Sequence, residues 1–228
     1  MSSNEQKWEN YYVALKDSTS VPWPNEAMVK VVFGRYLANY FKLPDQTSVL
    51  DIGCGMGGNL RPFVARGDQC FGVEVTNAAA TSIQQVFDRT GFNADVRTGS
   101  NRHLPFGDET FDLLLSINVV HYEKTESDLL AALEEYRRVL KPGGGVYIST
   151  VGPEHEIQQA AESLGEHRYK IRDYDFRNGE EYFYFDDGKY LQSYLERYFV
   201  SVETGQVTER LMSRPLDFLV AFARREYL

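Results

Sequence analysis

An acidic, glycine-rich stretch, Asp51-Ile52-Gly53-Cys54-Gly55-Met56-Gly57-Gly58, is the sharpest chemical signal in the chain. It follows a short apolar run at 48–52 and opens a segment with helical spacing. Glycines at a strand-to-helix turn let the backbone bend tightly and approach a ligand closely. Gly53-x-Gly55-x-x-Gly58 has the spacing of a dinucleotide fingerprint, and Glu74 lies 21 residues beyond Gly53, at the end of the next apolar run. A carboxylate there can accept hydrogen bonds from both hydroxyls of a ribose. Turn and acid together read as an adenosine site, a requirement that NAD, FAD and S-adenosylmethionine would all meet. A tight turn with no ligand is the competing reading; it is disfavoured because strand, turn, helix and distal acid fall in order.

The other reactive side chains are scattered. Cys54 sits inside the glycine turn with no histidine near it in sequence, so it reads as a small packing residue rather than a reactive thiol. His103 and His167 read as surface residues, and His155 as an exposed loop residue just past the fifth strand. No His/Cys/Asp cluster has metal-ligand spacing, so no metal site is expected.

The elements that must position these groups alternate along the chain. Strands are predicted at 48–53, 69–75, 95–98, 111–117 and 146–151, and helices at 57–66, 77–89 and 126–139. The run at 111–117 is nearly all apolar, as a central parallel strand should be. Alternation of this kind predicts an α/β fold, a doubly wound and mostly parallel sheet with helices on both faces. Ahead of it, Trp8, Tyr11 and Tyr12 have the spacing of a short helix, and a second helix is predicted over 26–41 with Asn25 as its cap. Behind it, residues 167–199 are dense in aromatics and charge, with a helix start at Asp186-Asp187-Gly188. Two more strands at 199–208 and 216–222 complete seven, and the short connection between them makes the last one antiparallel. The reading is one domain over 1–228: an N-terminal lid at 1–45, a core at 46–151, a cap insertion at 152–198 and two final strands at 199–228.

Bulk composition narrows the partners. The chain has 228 residues, 43% hydrophobic and 25% charged, with a net charge of −9. An acidic surface repels polyphosphate, so nucleic acid is not an expected partner. Two cysteines make no disulfide framework, the first residues carry no long apolar stretch, and no run approaches a membrane span. A cytoplasmic protein without a membrane partner is expected, with its oligomeric state open and a dimer allowed.

Two further runs decide among the adenosine ligands. Val49-Leu50-Asp51-Ile52-Gly53-Cys54-Gly55 is followed by LPFGDETFDLLLS at 104–116 and by EEYRRVLKPGGGVYIS at 134–149. In that order and spacing the three runs resemble the class I (Rossmann-like) S-adenosylmethionine-dependent methyltransferase superfamily, most of all its small-molecule branch. The resemblance covers about residues 48–151. It implies S-adenosylmethionine as cofactor, S-adenosylhomocysteine as product, and methyl transfer to a small acceptor. By position it implies that Asp51, Gly53, Cys54 and Gly55 wrap the methionine part, that Glu74 holds the ribose, and that Val75 packs on the adenine. Ser100 stands where many relatives have an Asp that binds the adenine amino group, with Asn101 as a substitute. Asn118, after the fourth strand, falls near the ribose and sulfonium.

His121, three residues past Asn118, is then the candidate general base, because an unperturbed imidazole pKa of about 6.5 suits the task. The alternative is a histidine that caps the loop or stacks in the rim. Tyr122 could orient an acceptor, and Tyr12, Trp23 and Tyr182 are further candidate acceptor contacts from the lid and cap. The aromatic cap and the acidic charge favour an O or N nucleophile on a saccharide or secondary metabolite. An NAD-dependent oxidoreductase is disfavoured by the two later runs and because the Tyr12-x-x-x-Lys16 spacing precedes the fold. A protein methyltransferase would call for a flat acceptor face rather than a closed cap.

Overall fold

The computed structural model describes residues 3–212 and 214–227. The elements run α1 (Ser3–Ala14), α2 (Glu26–Phe33), β1 (Ser48–Ile52), α3 (Arg61–Arg66), β2 (Gln69–Glu74), α4 (Asn77–Thr90), β3 (Asp95–Thr98), β4 (Phe111–Ile117), α5 (Glu126–Val139), β5 (Leu140–Val151), α6 (Glu156–Ala160), β6 (Glu162–Gly165), β7 (Arg168–Lys170), β8 (Glu181–Phe183), α7 (Gly188–Leu195), β9 (Val200–Leu211) and β10 (Arg214–Arg224). Seven strands form one sheet in the order β3-β2-β1-β4-β5-β10-β9. The first five are parallel, and β10 is antiparallel to both β5 and β9. Strand order reverses between β1 and β4, which opens a crevice at their carboxyl ends.

The core follows from alternation along the central strands. Leu50, Ile52 and Leu114 pack with Leu129, Leu133 and Tyr136 of α5 and Leu191 and Leu195 of α7. Val49, Leu113 and Leu115 belong to the opposite cluster, with Met28 and Val32 of α2 and Phe63 of α3. Successive side chains of a strand point to opposite faces, so both faces of a buried strand must be apolar. Each fully buried aliphatic side chain contributes roughly 1.5–3 kcal/mol. Thr76, Thr125 and Asp187 accept backbone N–H bonds at the starts of α4, α5 and α7. These caps offset unpaired donors that every helix start carries.

Three predicted bounds are corrected. The helix expected over 26–41 ends at Phe33, because Gly34 leaves the helical region, and a side chain there would strike the Lys30 carbonyl at 2.2 Å. The segment Lys141–Gly145 does not merely stop a helix; it is already part of β5, with Gly143 at φ 77°. The turn after β1 is a 3₁₀ turn, Gly58–Leu60, before α3 begins. The aromatic insertion folds as a three-stranded antiparallel sheet, β6-β7-β8, around Ile157, Ile171, Tyr182 and Tyr184. No described helix is long and apolar enough to cross a membrane.

Candidate active site

A cavity of about 610 Å³ opens at the carboxyl ends of β1, β2 and β4. Its first end is built by the glycine turn and the acid after it. Gly53 and Gly55 have φ of 62° and 51°, a region that L side chains rarely adopt. A side chain at Gly53 would meet Val119 at 2.6 Å. Glu74 lines the cavity at the end of β2, and its Oε1 accepts the Gly55 N–H at 2.7 Å. Burial pushes its carboxyl up to about 7. Val75 also lines this end and leaves an apolar side chain 37% exposed.

The loop after β3 closes the same end. Ser100 lines it, its backbone paired with His103. Asn101 is held by a buried network: its Nδ2 donates to Glu123 at 2.9 Å and its Oδ1 accepts from the Tyr136 hydroxyl at 2.8 Å. With both side-chain ends engaged, Asn101 holds the loop to α5 more than it offers itself to a ligand. Asn118 lies between the two ends of the cavity, at φ 58°, with its Oδ1 accepting from the Ser149 hydroxyl at 3.1 Å.

The second end draws on distant segments. His121 and Tyr122 sit on a 3₁₀ turn, Val120–Tyr122, just past β4. His121 Nδ1 lies 3.1 Å from the Thr150 hydroxyl, and the ring is only 5% exposed. Burial, helped by the positive charge of Arg177, pushes its pKa down to about 3. The expectation of an imidazole poised near 6.5 is therefore corrected: the desolvated ring is neutral and a weak base. His155, expected in an exposed loop, is 3% exposed and lines the cavity. Its Nδ1 accepts the Ile157 N–H at 3.1 Å, so the proton of the neutral ring resides on Nε2.

Helix α1 covers the opening. Trp8 and Tyr12 line the cavity, and the Trp8 ring meets Tyr122 and Phe176 edge-on at 5.9 and 4.9 Å. Tyr11 stacks on Phe176 at 4.9 Å, and Lys7 Nζ donates to the Asn178 carbonyl at 2.5 Å. The N-terminal helix is thus latched onto the insertion.

Several candidate residues do not face the cavity. Asp51 lies beneath the turn, fully buried, with no hydrogen bond of normal geometry to either carboxyl oxygen. Its burial pushes the carboxyl up to about 8, against a smaller opposing pull from Asn59. Cys54 is packed with its sulfur against Gly72, and burial raises its thiol well above the usual value, so it is a packing residue. Gly55 shapes the turn without lining the cavity. Trp23 is 82% exposed and stacks on the Arg61 guanidinium at 4.2 Å, away from the acceptor end. Tyr182 is buried behind His121, at 5.9 Å between ring centres, with its hydroxyl on Gln158.

Residues 49–144 match a family of methyltransferase domains. The fold agrees: an S-adenosylmethionine-dependent methyltransferase from Methanosarcina mazei superposes with a TM-score of 0.67 at 20% identity, over 82% of this chain and 95% of that one. Residues 49–144 are thus similar to methyltransferase domains, and the fold is that of the S-adenosylmethionine-dependent methyltransferases. Among curated methyltransferases, a putative one from Encephalitozoon cuniculi is 37% identical over 119 residues, 52% of this chain and 50% of the relative. A malonyl-[acyl-carrier protein] O-methyltransferase from Erwinia billingiae is 32% identical over 133 residues, 58% of this chain and 50% of the relative. The chain spans about half the length of these two relatives.

The cofactor of the superfamily is S-adenosylmethionine, and the first end of the cavity fits it. A carboxylate beside an exposed apolar side chain suits a ribose diol next to a planar base. Asp51 lies buried under the turn, and a cationic amino group above the turn would offset the burial that raises its pKa, acting through water or the turn backbone. Glu74, Val75, Ser100 and Asn118 could hold the nucleoside and sulfonium parts. Sequence reasoning missed Arg177 and placed His155 wrongly. A lone arginine within the aromatic run Tyr174-Asp175-Phe176-Arg177 was a usable signal, whereas nothing local marks His155 as buried.

Proposed function

We propose that this protein transfers a methyl group from S-adenosylmethionine to an oxygen or nitrogen nucleophile of a small acceptor molecule, by in-line displacement. One observation carries the reading: a single covered cavity runs from Glu74 and Val75 past Asn118 to Tyr122, His155 and Arg177. The cofactor brings an already activated methyl group. What remains for the protein is to align the acceptor and exclude water, an effect worth on the order of 7–11 kcal/mol when the geometry is right.

In this reading Glu74 binds the ribose hydroxyls, Val75 lies against the adenine and Ser100 accepts from its amino group. Asp51 supports the amino end of the cofactor from below. Asn118 is held in the left-handed region at the point where donor and acceptor meet. Trp8 and Tyr12 cover the methyl group, and Tyr122 orients the acceptor. His121 can accept a hydrogen bond, but its low basicity makes it an orienting group rather than a strong base. The roof formed by α1 and the insertion speaks for a small acceptor over a protein surface.

Calorimetric titration with S-adenosylmethionine, S-adenosylhomocysteine and NAD side by side tests the proposal. Binding of the two sulfur nucleosides, and not of NAD, is the expected result. Binding of NAD alone would move the search to redox substrates.

A further inference from the structure

Arg177 is the one guanidinium that lines the acceptor end of the cavity among the described residues. Its placement is tightly set. Nε and Nη2 donate to the Asp175 carboxylate at 3.0 and 2.8 Å, and the guanidinium carbon lies 4.7 Å above the Tyr174 ring. The Tyr122 hydroxyl is beside it. Asp175 occupies one edge of the fork and the Tyr122 hydroxyl shares the guanidinium, so a ligand here would meet Arg177 and Tyr122 together. Arginine keeps its charge at every working pH and presents paired donors that match a carboxylate. Lys7, Lys124 and Arg177 all act on the Glu180 carboxyl, which burial pushes up to about 7.

Neither histidine lining this end is a strong base. His121 is neutral and weakly basic, and burial lowers the His155 pKa as well. An alcohol or ammonium nucleophile would have to lose its proton here with little help. A carboxylate arrives already deprotonated.

Resting on the methyl-transfer reading above, we propose that the acceptor is a small carboxylic acid, bound as its carboxylate on Arg177 and methylated on oxygen to a methyl ester. One carboxylate oxygen stays on the guanidinium. The other gives a lone pair to the methyl carbon as the carbon–sulfur bond breaks, with that bond's electron pair remaining on sulfur. The sulfonium becomes a neutral thioether and the carboxylate a neutral ester, and no proton moves. A positive and a negative charge cancel in this step, so a cavity that excludes water favours it.

The test begins with the protein saturated with S-adenosylhomocysteine. Failure of that binding would overturn the methyl-transfer reading itself. The complex is then titrated with phenylacetate and octanoate and with the matched amides, phenylacetamide and octanamide. The acids should bind at least about tenfold tighter than their amides. Arg177→Gln should erase that gap and Arg177→Lys should keep part of it, both with unchanged affinity for S-adenosylhomocysteine. With methyl-labelled cofactor, label on the acids should be released as methanol by alkali. Equal affinity for acid and amide, no binding of either acid, an acid preference that survives Arg177→Gln, or label stable to alkali would each overturn the proposal while leaving the cofactor site standing.

Discussion

At the cofactor end of the cavity, Gly53, Glu74 and Val75 come from one short stretch of chain, while at the acceptor end Trp8, Tyr122, His155, Arg177 and Phe218 come from five segments spread from α1 to β10. The electrostatics differ in the same way. The first end places two buried carboxyls, Asp51 and Glu74, around the glycine turn; the second holds a guanidinium whose charge acts on two imidazoles, both with lowered pKa. A site for a constant ligand can be written into a strand, a turn and a strand. A site for a variable acceptor is assembled from whatever the loops at the strand ends bring together.

The largest expected effect breaks the first end. Glu74→Ala removes charge-assisted bonds worth roughly 1.5–3 kcal/mol each, so S-adenosylhomocysteine affinity should fall at least about 100-fold in calorimetry. An unchanged affinity would remove Glu74 as the ribose ligand. The fold should survive, as read by thermal unfolding.

The second effect concerns stability and its pH dependence. Asp51 is raised to about 8, and Glu74 and Glu180 to about 7, all by burial. A carboxyl with a raised folded pKa holds its proton more tightly folded than unfolded. These groups therefore favour folding most below the ordinary carboxyl range, and their support is lost as pH rises toward 7 and 8. The cofactor-free protein should lose thermal stability across that window. Asp51→Asn should flatten the slope and stabilise the cofactor-free protein at pH 8 by on the order of 2 kcal/mol. A slope as steep as that of the parent protein would show that Asp51 is ionised at neutral pH.

A smaller effect separates the roof from the floor. Trp8→Ala removes edge contacts to Tyr122 and Phe176, each worth about 0.5–1.5 kcal/mol. Acceptor KM should rise by roughly tenfold, with a lesser change in cofactor affinity. Equal losses for both ligands would mean that α1 covers the two ends alike.

The smallest effect falls on His121. Because its pKa is pushed down to about 3, the pH–rate profile should show no inflection near 6.5 that depends on His121. His121→Asn should lower turnover by less than about tenfold, below the 10²–10⁴ typical of a general base. An inflection near 6.5 that disappears in this variant would restore the histidine as base.

Much of the first end was legible in the sequence. The alternation over 48–151, the glycine turn and the distal Glu74 depend on local backbone rules: period two in buried strands, left-handed positions that need glycine, and helix caps at Thr76 and Thr125. Local rules also account for the misses. Apolar spacing from 26 to 41 suggested a long helix, but at Gly34 the backbone turns extended, packed so close to the Lys30 carbonyl that no Cβ would fit, and periodicity carries no sign of that. Trp23 and Tyr182 looked alike as aromatic candidates; packing put one in solvent on Arg61 and the other behind His121.

By itself, the sequence determined the doubly wound core and the glycine turn with its distal carboxylate, because both are set by residues within one or two elements of each other. Only the tertiary structure decided how far each titratable group is desolvated, which made His121 a weak base and buried His155. It alone brought Arg177 of the insertion to the end of β4 and laid Trp8 across both. Those outcomes depend on contacts between segments more than 50 residues apart, and no local spacing encodes them.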